Sequence, residues 1–460
     1  MEIAAFIIFG AWVLKQASKE GIEQRAEGQG RSAEGIAHSV KGGGRCGRGG
    51  WILVFPVAMI VLTVLQIVPL PDWLLGLISP SACRIYKTFA NDAAGSWRTI
   101  SIYPDATIQE LFKLLSYTSV FFVVINHYRT KAQVNSLVRI IIYMGCFLAV
   151  FAVLQKMTWN GRLFWFYPLR EGLTSNMGYI WGPYINHNHF AGYMEMAIPL
   201  AIGFLLYKRS RMGSLSHIPL RTKIARLLDS SDIVAMALLS LAVVTMSAAL
   251  FLSLSRGGMI GFTASMFFLI GIMRTSRTLK KKAGLFALLG LAVFFVVVLA
   301  SWDRIEDRFE EIGKEQKIMR PEVWADTVNM VKDFPILGTG LGTFGGIYPH
   351  YQTGNSRFVF EHAENDYIEI LTDTGIIGFI IIIGMASLFF YSVIKAWRFR
   401  HNTFVKCIAV GGISSCVAIA VHSFTDFNMR IPANALLLTV IAGITYAAVY
   451  NVSESREHGA

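Results

Sequence analysis

What most constrains this chain is the length of its apolar runs. Stretches of about 18 to 22 residues, each long enough as a helix to cross the hydrocarbon core of a bilayer, recur between short polar segments. In hydrocarbon every backbone N–H and C=O must be satisfied within the segment, so runs of this kind are helices. They fall near 3–14, 51–68, 108–126, 134–154, 190–207, 232–254, 258–273, 284–301, 376–396, 404–424 and 433–450. The fold class expected is all-α: a polytopic helical bundle with about eleven transmembrane helices, within a range of roughly 10 to 12.

Composition supports this and removes the soluble alternatives. Hydrophobic residues make up 54% of the 460 and charged ones only 16%, with a mean hydropathy of +0.49. A soluble globular chain carries roughly 25% charged residues, so a soluble enzyme is excluded. The net charge of +12 raises nucleic-acid binding as a question. No basic stretch interleaved with aromatics follows the pattern of a nucleic-acid module, and the placement of the charges favours a membrane surface. With the N-terminus outside, the inner segments hold 25 of the 42 Lys and Arg residues, as the positive-inside rule requires. The basic runs Lys208–Arg211 and Lys280–Lys282 then read as anchors to anionic lipid heads. The five cysteines form neither a disulfide framework nor a zinc spacing.

These patterns divide the chain into a first span (1–14), a disordered inner loop (15–50), the N-terminal part of the bundle (51–301), an outer loop (302–375), the C-terminal part of the bundle (376–450) and an inner tail (451–460). The 3–14 run lacks a basic n-region and a small-residue cleavage site, so it reads as a retained span rather than a signal peptide. The 15–50 segment has ten glycines and mixed charge, a composition that cannot bury a core.

Chemistry is expected in the outer segments. In Leu252-Ser-Leu-Ser-Arg256-Gly-Gly258 an Arg stands at the membrane boundary beside two glycines that permit close approach. Its fork suits a phosphate, and the alternative is an anchor snorkelling to lipid heads. In Met319-Arg320-Pro321-Glu-Val-Trp324, Pro321 fits the first turn of a helix running to about Val331, which would leave Arg320 near the positive N-terminus. A pair with Glu322 or Asp326 is the plainer reading. The run Asp333-Phe-Pro-Ile-Leu-Gly338-Thr-Gly340-Leu-Gly342 could offer backbone N–H groups to a phosphate but reads better as a tight turn at the membrane surface, lacking the context of a nucleotide loop.

Phe360 to Gly375 reads as a short amphipathic helix ending at a glycine cap, with His362, Asn365 and Glu369 on one face. His362 is then a candidate general base, its ring oriented by the polar i+3 neighbour Asn365. His187, His189, Glu195, His422 and Asp426 could in principle build a metal site, but no pair has metal-ligand spacing on one helix and helix-end capping explains them.

Taken in order, the Ser-Arg256-Gly-Gly turn, the Arg320–Trp324 stretch, the Asp-Phe-Pro-Ile-Leu-Gly-Thr-Gly-Leu-Gly-Thr-Phe run, His362-Ala-Glu-Asn365 and His422-Ser-Phe-Thr-Asp426-Phe-Asn428 resemble the O-antigen ligase and polymerase family of bacterial envelope glycosyltransferases. The resemblance covers roughly 180–440. It implies a multi-pass inner-membrane enzyme with its active site facing the periplasm. Such an enzyme moves a glycan from undecaprenyl diphosphate to a hydroxyl of a lipid A core or a growing glycan, by inverting displacement and without cofactor or metal. By the same resemblance Arg256 and Arg320 would bind the diphosphate, and His362 would deprotonate the acceptor. Asn188, Asn365 and Asp426 would support those groups or touch substrate. The expected partners are the lipid-linked donor, the acceptor and membrane lipids, with no nucleic acid. The rivals are a transporter or flippase of the same lipid-linked glycan, and a protein O-oligosaccharyltransferase. The latter is disfavoured because no soluble acceptor-binding domain follows the last span.

Overall fold

The computed structural model describes residues 50–89, 97–168, 181–211, 231–276, 279, 316–354 and 359–453. Within them the chain is an all-α polytopic membrane protein. Eight helices are long and apolar enough to cross a membrane, and Val54–Ile67 is a shorter apolar one. These match nine of the expected spans. The spans at 3–14 and 284–301 and the polar stretch 15–49 lie outside the described residues.

In chain order the helices are α1 Val54–Ile67, α2 Asp72–Ile78, α3 Pro80–Phe89, α4 Pro104–His127, α5 Lys131–Met157, α6 His187–Arg211, α7 Ser231–Leu252 and α8 Arg256–Thr275. There follow α9 Gln316–Asp333, α10 Phe344–Ile347, α11 Asp366–Phe399, α12 Thr403–His422 and α13 Pro432–Tyr450. Strand among the described residues is confined to two short antiparallel pairs, Leu70–Pro71 with Trp97–Arg98 and Arg162–Leu163 with Tyr167–Pro168. Local chemistry sets several helix starts. Pro104 and Pro432 occupy first turns, where a missing N–H costs nothing. Thr130 and Gln133 form a reciprocal capping box on α5.

Helices α6 and α12 form the centre of the bundle, with 89% and 83% of their apolar windows buried against 17% for α4 and α11. Small residues let these two approach backbone to backbone. A Cβ on Gly203 would lie 2.4 Å from the Cys407 carbonyl oxygen, and one on Gly411 would lie 2.7 Å from that of Pro199. In a membrane such close packing, rather than hydrophobic burial, holds helices together. Ser415 Oγ adds a hydrogen bond to the Met196 carbonyl across the same contact (2.5 Å).

The starts of α6, α8, α11 and α13 and the ends of α1 and α12 meet at one end of the bundle. A small apolar cluster of Val323, Met330, Phe344, Ile347, Tyr348 and Ala363 covers that end, with Leu75, Ala82, Cys83, Ile100 and Phe334 beside it.

Candidate functional site

The framework of the site is a break in α11. At Gly375 the backbone turns to φ 61°, ψ −168°, separating the short stretch 366–374 from the span that begins at Ile376. The glycine cap expected there is present, and a Cβ would sit 2.2 Å from the Ile336 carbonyl oxygen. Groups freed by the break pair with the glycine-rich turn. Ile376 N–H donates to Pro335 O (2.9 Å), Thr339 N–H to Thr372 O (2.9 Å) and Gly340 N–H to Asp373 O (3.0 Å). Gly342 N–H donates to Asp373 Oδ2 (2.7 Å) and Leu341 N–H to Gln66 Oε1 (3.0 Å). Gly338, Gly340 and Gly342 all have positive φ, which glycine adopts without strain. The N–H groups considered for a phosphate are therefore spent on the protein itself.

His362 departs from its expected place. Helix α11 starts at Asp366 with Asn365 as its N-cap, whose side chain accepts from the N–H groups of Tyr367 and Ile368 and donates to Phe424 O. His362 lies in the turn before the cap, because that Asn side chain competes for the first backbone donors and starts the helix there. The ring is oriented by Glu369 and not, as expected, by the i+3 residue Asn365, whose side chain is taken by the cap: Nδ1–H donates to Glu369 Oε1 at 2.9 Å, and Ala363 N–H holds Oε2 at 2.9 Å. A carboxylate can only accept, so this bond puts the proton of the neutral ring on Nδ1 and the lone pair on Nε2. Phe427 stacks on the ring at 4.2 Å and 22°. Burial alone would lower the His362 pKa, but the hydrogen bond and charge of Glu369 outweigh it and raise the value above the ordinary one.

Glu369 is in turn held by Arg430, whose Nε lies 3.0 Å from Oε1 while Nη2 reaches Asp373 Oδ2. Arg430 is not among the residues that the sequence motifs point to. A lone Arg between Met429 and Ile431, four residues from Asp426, was the available signal. Its pKa is raised despite burial, because Asp373 and Glu369 flank it.

Arg320 lies in the second turn of α9, since that helix starts at Gln316 and runs through Pro321. The helix-terminal anion site expected at Arg320 is therefore absent, and the guanidinium itself faces the His362 turn. Nη2 donates to Glu364 Oε2 and Nη1 to Thr425 O, both at 2.9 Å, and Trp324 Nε1–H donates to Ala363 O at the same distance. Asp326 instead takes Tyr348 and Thr353, so neither intrahelical partner considered for Arg320 is used.

Arg256 is exposed at the first residue of α8, behind an N-cap made by Ser255. A Cβ on the next residue, Gly257, would lie 2.6 Å from both His422 Nε2 and Thr425 Oγ1. The α8 start thus packs on the 422–425 turn that also receives Arg320, and both arginines border that turn.

Asp426 is buried, with Oδ1 3.2 Å from His189 Nε2. Burial works to raise its carboxyl pKa, but the contact with His189 and the neighbouring positive groups keep it below the usual range. Asn188 is half-buried in the first turn of α6 and accepts no part in the His362 or Arg320 bonds; its own N–H caps on Asn186 Oδ1. The five residues considered for a metal are divided: His187 to Ser253 O, His189 to Asp426 and His422 to Glu195. Among the described residues no three His, Cys, Asp or Glu converge as a metal-holding group.

Residues 241–383, which carry Arg256, Arg320, the glycine-rich turn, His362 and Glu369, match the family model described as O-antigen ligase. That stretch is similar to the O-antigen ligase family. The matched segment stops short of Arg430 and of the 422–427 turn, so those contributions come from the structure alone. No curated protein matches the chain.

Proposed function

We propose that this protein is an O-antigen ligase or polymerase-like glycosyltransferase. It moves an oligo- or polysaccharide from undecaprenyl diphosphate to an acceptor hydroxyl, of a lipid A core or a growing glycan, on the periplasmic face of a bacterial inner membrane. The observation that carries this reading is the single turn shared by a buttressed base and two arginines: His362 on Glu369, Arg320 on Thr425, and Arg256 beside it. The excess of Lys and Arg in the opposite segments supports the orientation.

In the proposed reaction the acceptor O–H gives its proton to His362 Nε2 as its oxygen attacks the anomeric carbon. The bond from that carbon to the diphosphate oxygen breaks with its electron pair. The diphosphate leaves from the opposite side with the charge neutralised by Arg256 and Arg320, so configuration inverts. A lipid diphosphate is already a good leaving group, and the protein need only position both substrates and stabilise charge. No step calls on a metal.

One observation favours a second reading. Glu195 and His422, both fully buried in the central helices, pair at 3.0 Å, as a proton-coupled transporter of the lipid-linked glycan would require. Proteoliposomes separate the two. Given undecaprenyl-diphosphate oligosaccharide and chelator, with glycan, lipid A core and protein acceptors offered separately, the parent should transfer glycan, and His362→Ala, Arg256→Ala and Arg320→Ala should not. Movement of labelled lipid across the bilayer without any new glycosidic bond would replace the enzyme reading with the transporter one.

A further inference from the structure

The bond between Arg320 and Glu364 sits where the donor is proposed to bind, and it sets a problem. A guanidinium meant for a diphosphate is already occupied by a carboxylate at 2.9 Å. Glu364 is also held awkwardly: its backbone has φ 54°, a left-handed conformation that a non-glycine residue adopts only under strain. The turn keeps this strain while pointing the side chain at Arg320. Its neighbours do not make it a comfortable anion. Asp426 faces it from the loop after α12, Glu369 from α11 and His362 from its own turn, while Arg320 on α9 is its one ion-pair partner among the described residues.

We propose that Glu364 is the resident counterion of Arg320, a positioning residue that holds the guanidinium while the donor site is empty and yields it to the diphosphate when donor binds. The exchange is cheap to make. Arg320 keeps its Nη1 bond to Thr425 O, so the fork stays aimed while only the Nη2 bond changes partner. The displaced carboxylate, left beside Asp426, Glu369 and an incoming diphosphate, takes up a proton from solvent. It is already close to doing so: burial first, then the charge of Asp426, push its pKa to about 7 against the pull of Arg320. The inference rests on the donor-binding reading above but makes its own demand, that donor affinity depends on Glu364 being charged.

The test is binding of undecaprenyl diphosphate to the full-length protein in nanodiscs, by calorimetry at pH 5.5 and pH 8. Arg256→Ala and Arg320→Ala check the donor site itself: if both bind like the parent, the donor reading fails whatever Glu364 does. If they lose binding, Glu364→Gln should bind about tenfold tighter than the parent at pH 8, the scale of one competing charge-assisted bond, and equally at pH 5.5. Both the diphosphate and His362 also titrate, but they do so in parent and variant alike. Parent binding at pH 8 should also consume a proton, seen as a buffer-dependent heat that persists in His362→Ala and disappears in Glu364→Gln. The His362→Ala arm needs no substitution at Glu364, so it stands even if the Gln variant does not fold. A Glu364→Gln protein that binds no tighter than the parent at pH 8, or no proton uptake in His362→Ala, overturns the proposal.

Discussion

The acid–base behaviour of His362 is decided at its Nδ1 contact. Neutral imidazole is the form that can take a proton, and Glu369 raises the ring's pKa above the ordinary 6.5. Glycan transfer should therefore fall on acidification through a midpoint above that value, in a pH–rate profile taken at saturating donor. Glu369→Gln removes the raising charge, so its acid limb should move to lower pH while its plateau drops, because the base is both weaker and less well aimed. His362→Ala should cost on the order of 10²–10⁴ in rate. Arg430 works one layer out. Truncating it to Ala leaves Glu369 and Asp373 buried without their cation, which costs about 3–5 kcal/mol for a broken buried pair. A lowered denaturation midpoint in detergent is the expected readout, and an unchanged midpoint would mean the pair is not held as described.

At the scale of elements, two glycines in neighbouring helices should behave oppositely. A Cβ on Gly271 in α8 meets nothing within 4 Å, so Gly271→Ala should stabilise by up to about 1 kcal/mol, the usual helix preference. Gly411→Ala in α12 would drive a methyl group into the Pro199 carbonyl and should destabilise, with the same thermal assay separating them. Apolar run length made the eight long apolar helices and the shorter Val54–Ile67 legible, because hydrocarbon leaves the backbone no other choice. The glycine cap at Gly375 and the turn at 338–342 were equally readable from residue type. What failed was the fine placement of polar residues. The local pattern predicts Asn365 on a helix face, where it is the helix start, and places Arg320 near the N-terminus of α9, which begins four residues earlier at Gln316. Arg430 and Glu364 act through partners that lie 61 and 44 residues away, Glu369 and Arg320, and no local pattern carries such a pairing.

For the molecule as a whole, the convergence of helix ends at one end of the bundle makes orientation testable. In a background lacking the five native cysteines, a thiol placed at Glu361 beside the site should react with a membrane-impermeant maleimide in spheroplasts. One at His401, between α11 and α12 at the other end, should react only after permeabilisation. Labelling in the reverse order would put the site in the cytoplasm and remove the periplasmic acceptor from consideration.

Gln66 ties this end together in an unexpected order. Its amide bonds Leu337 O and Asp373 O, partners 271 and 307 residues further along the chain. A ribosome adding roughly 5–20 residues per second reaches them only on the order of 15 to 60 s after Gln66 has been made. During that interval α1 must wait with its closing amide unsatisfied by protein. This end of the bundle is thus completed late in synthesis, and a chain stalled before α11 would be inserted yet unable to close the turn on which His362 depends.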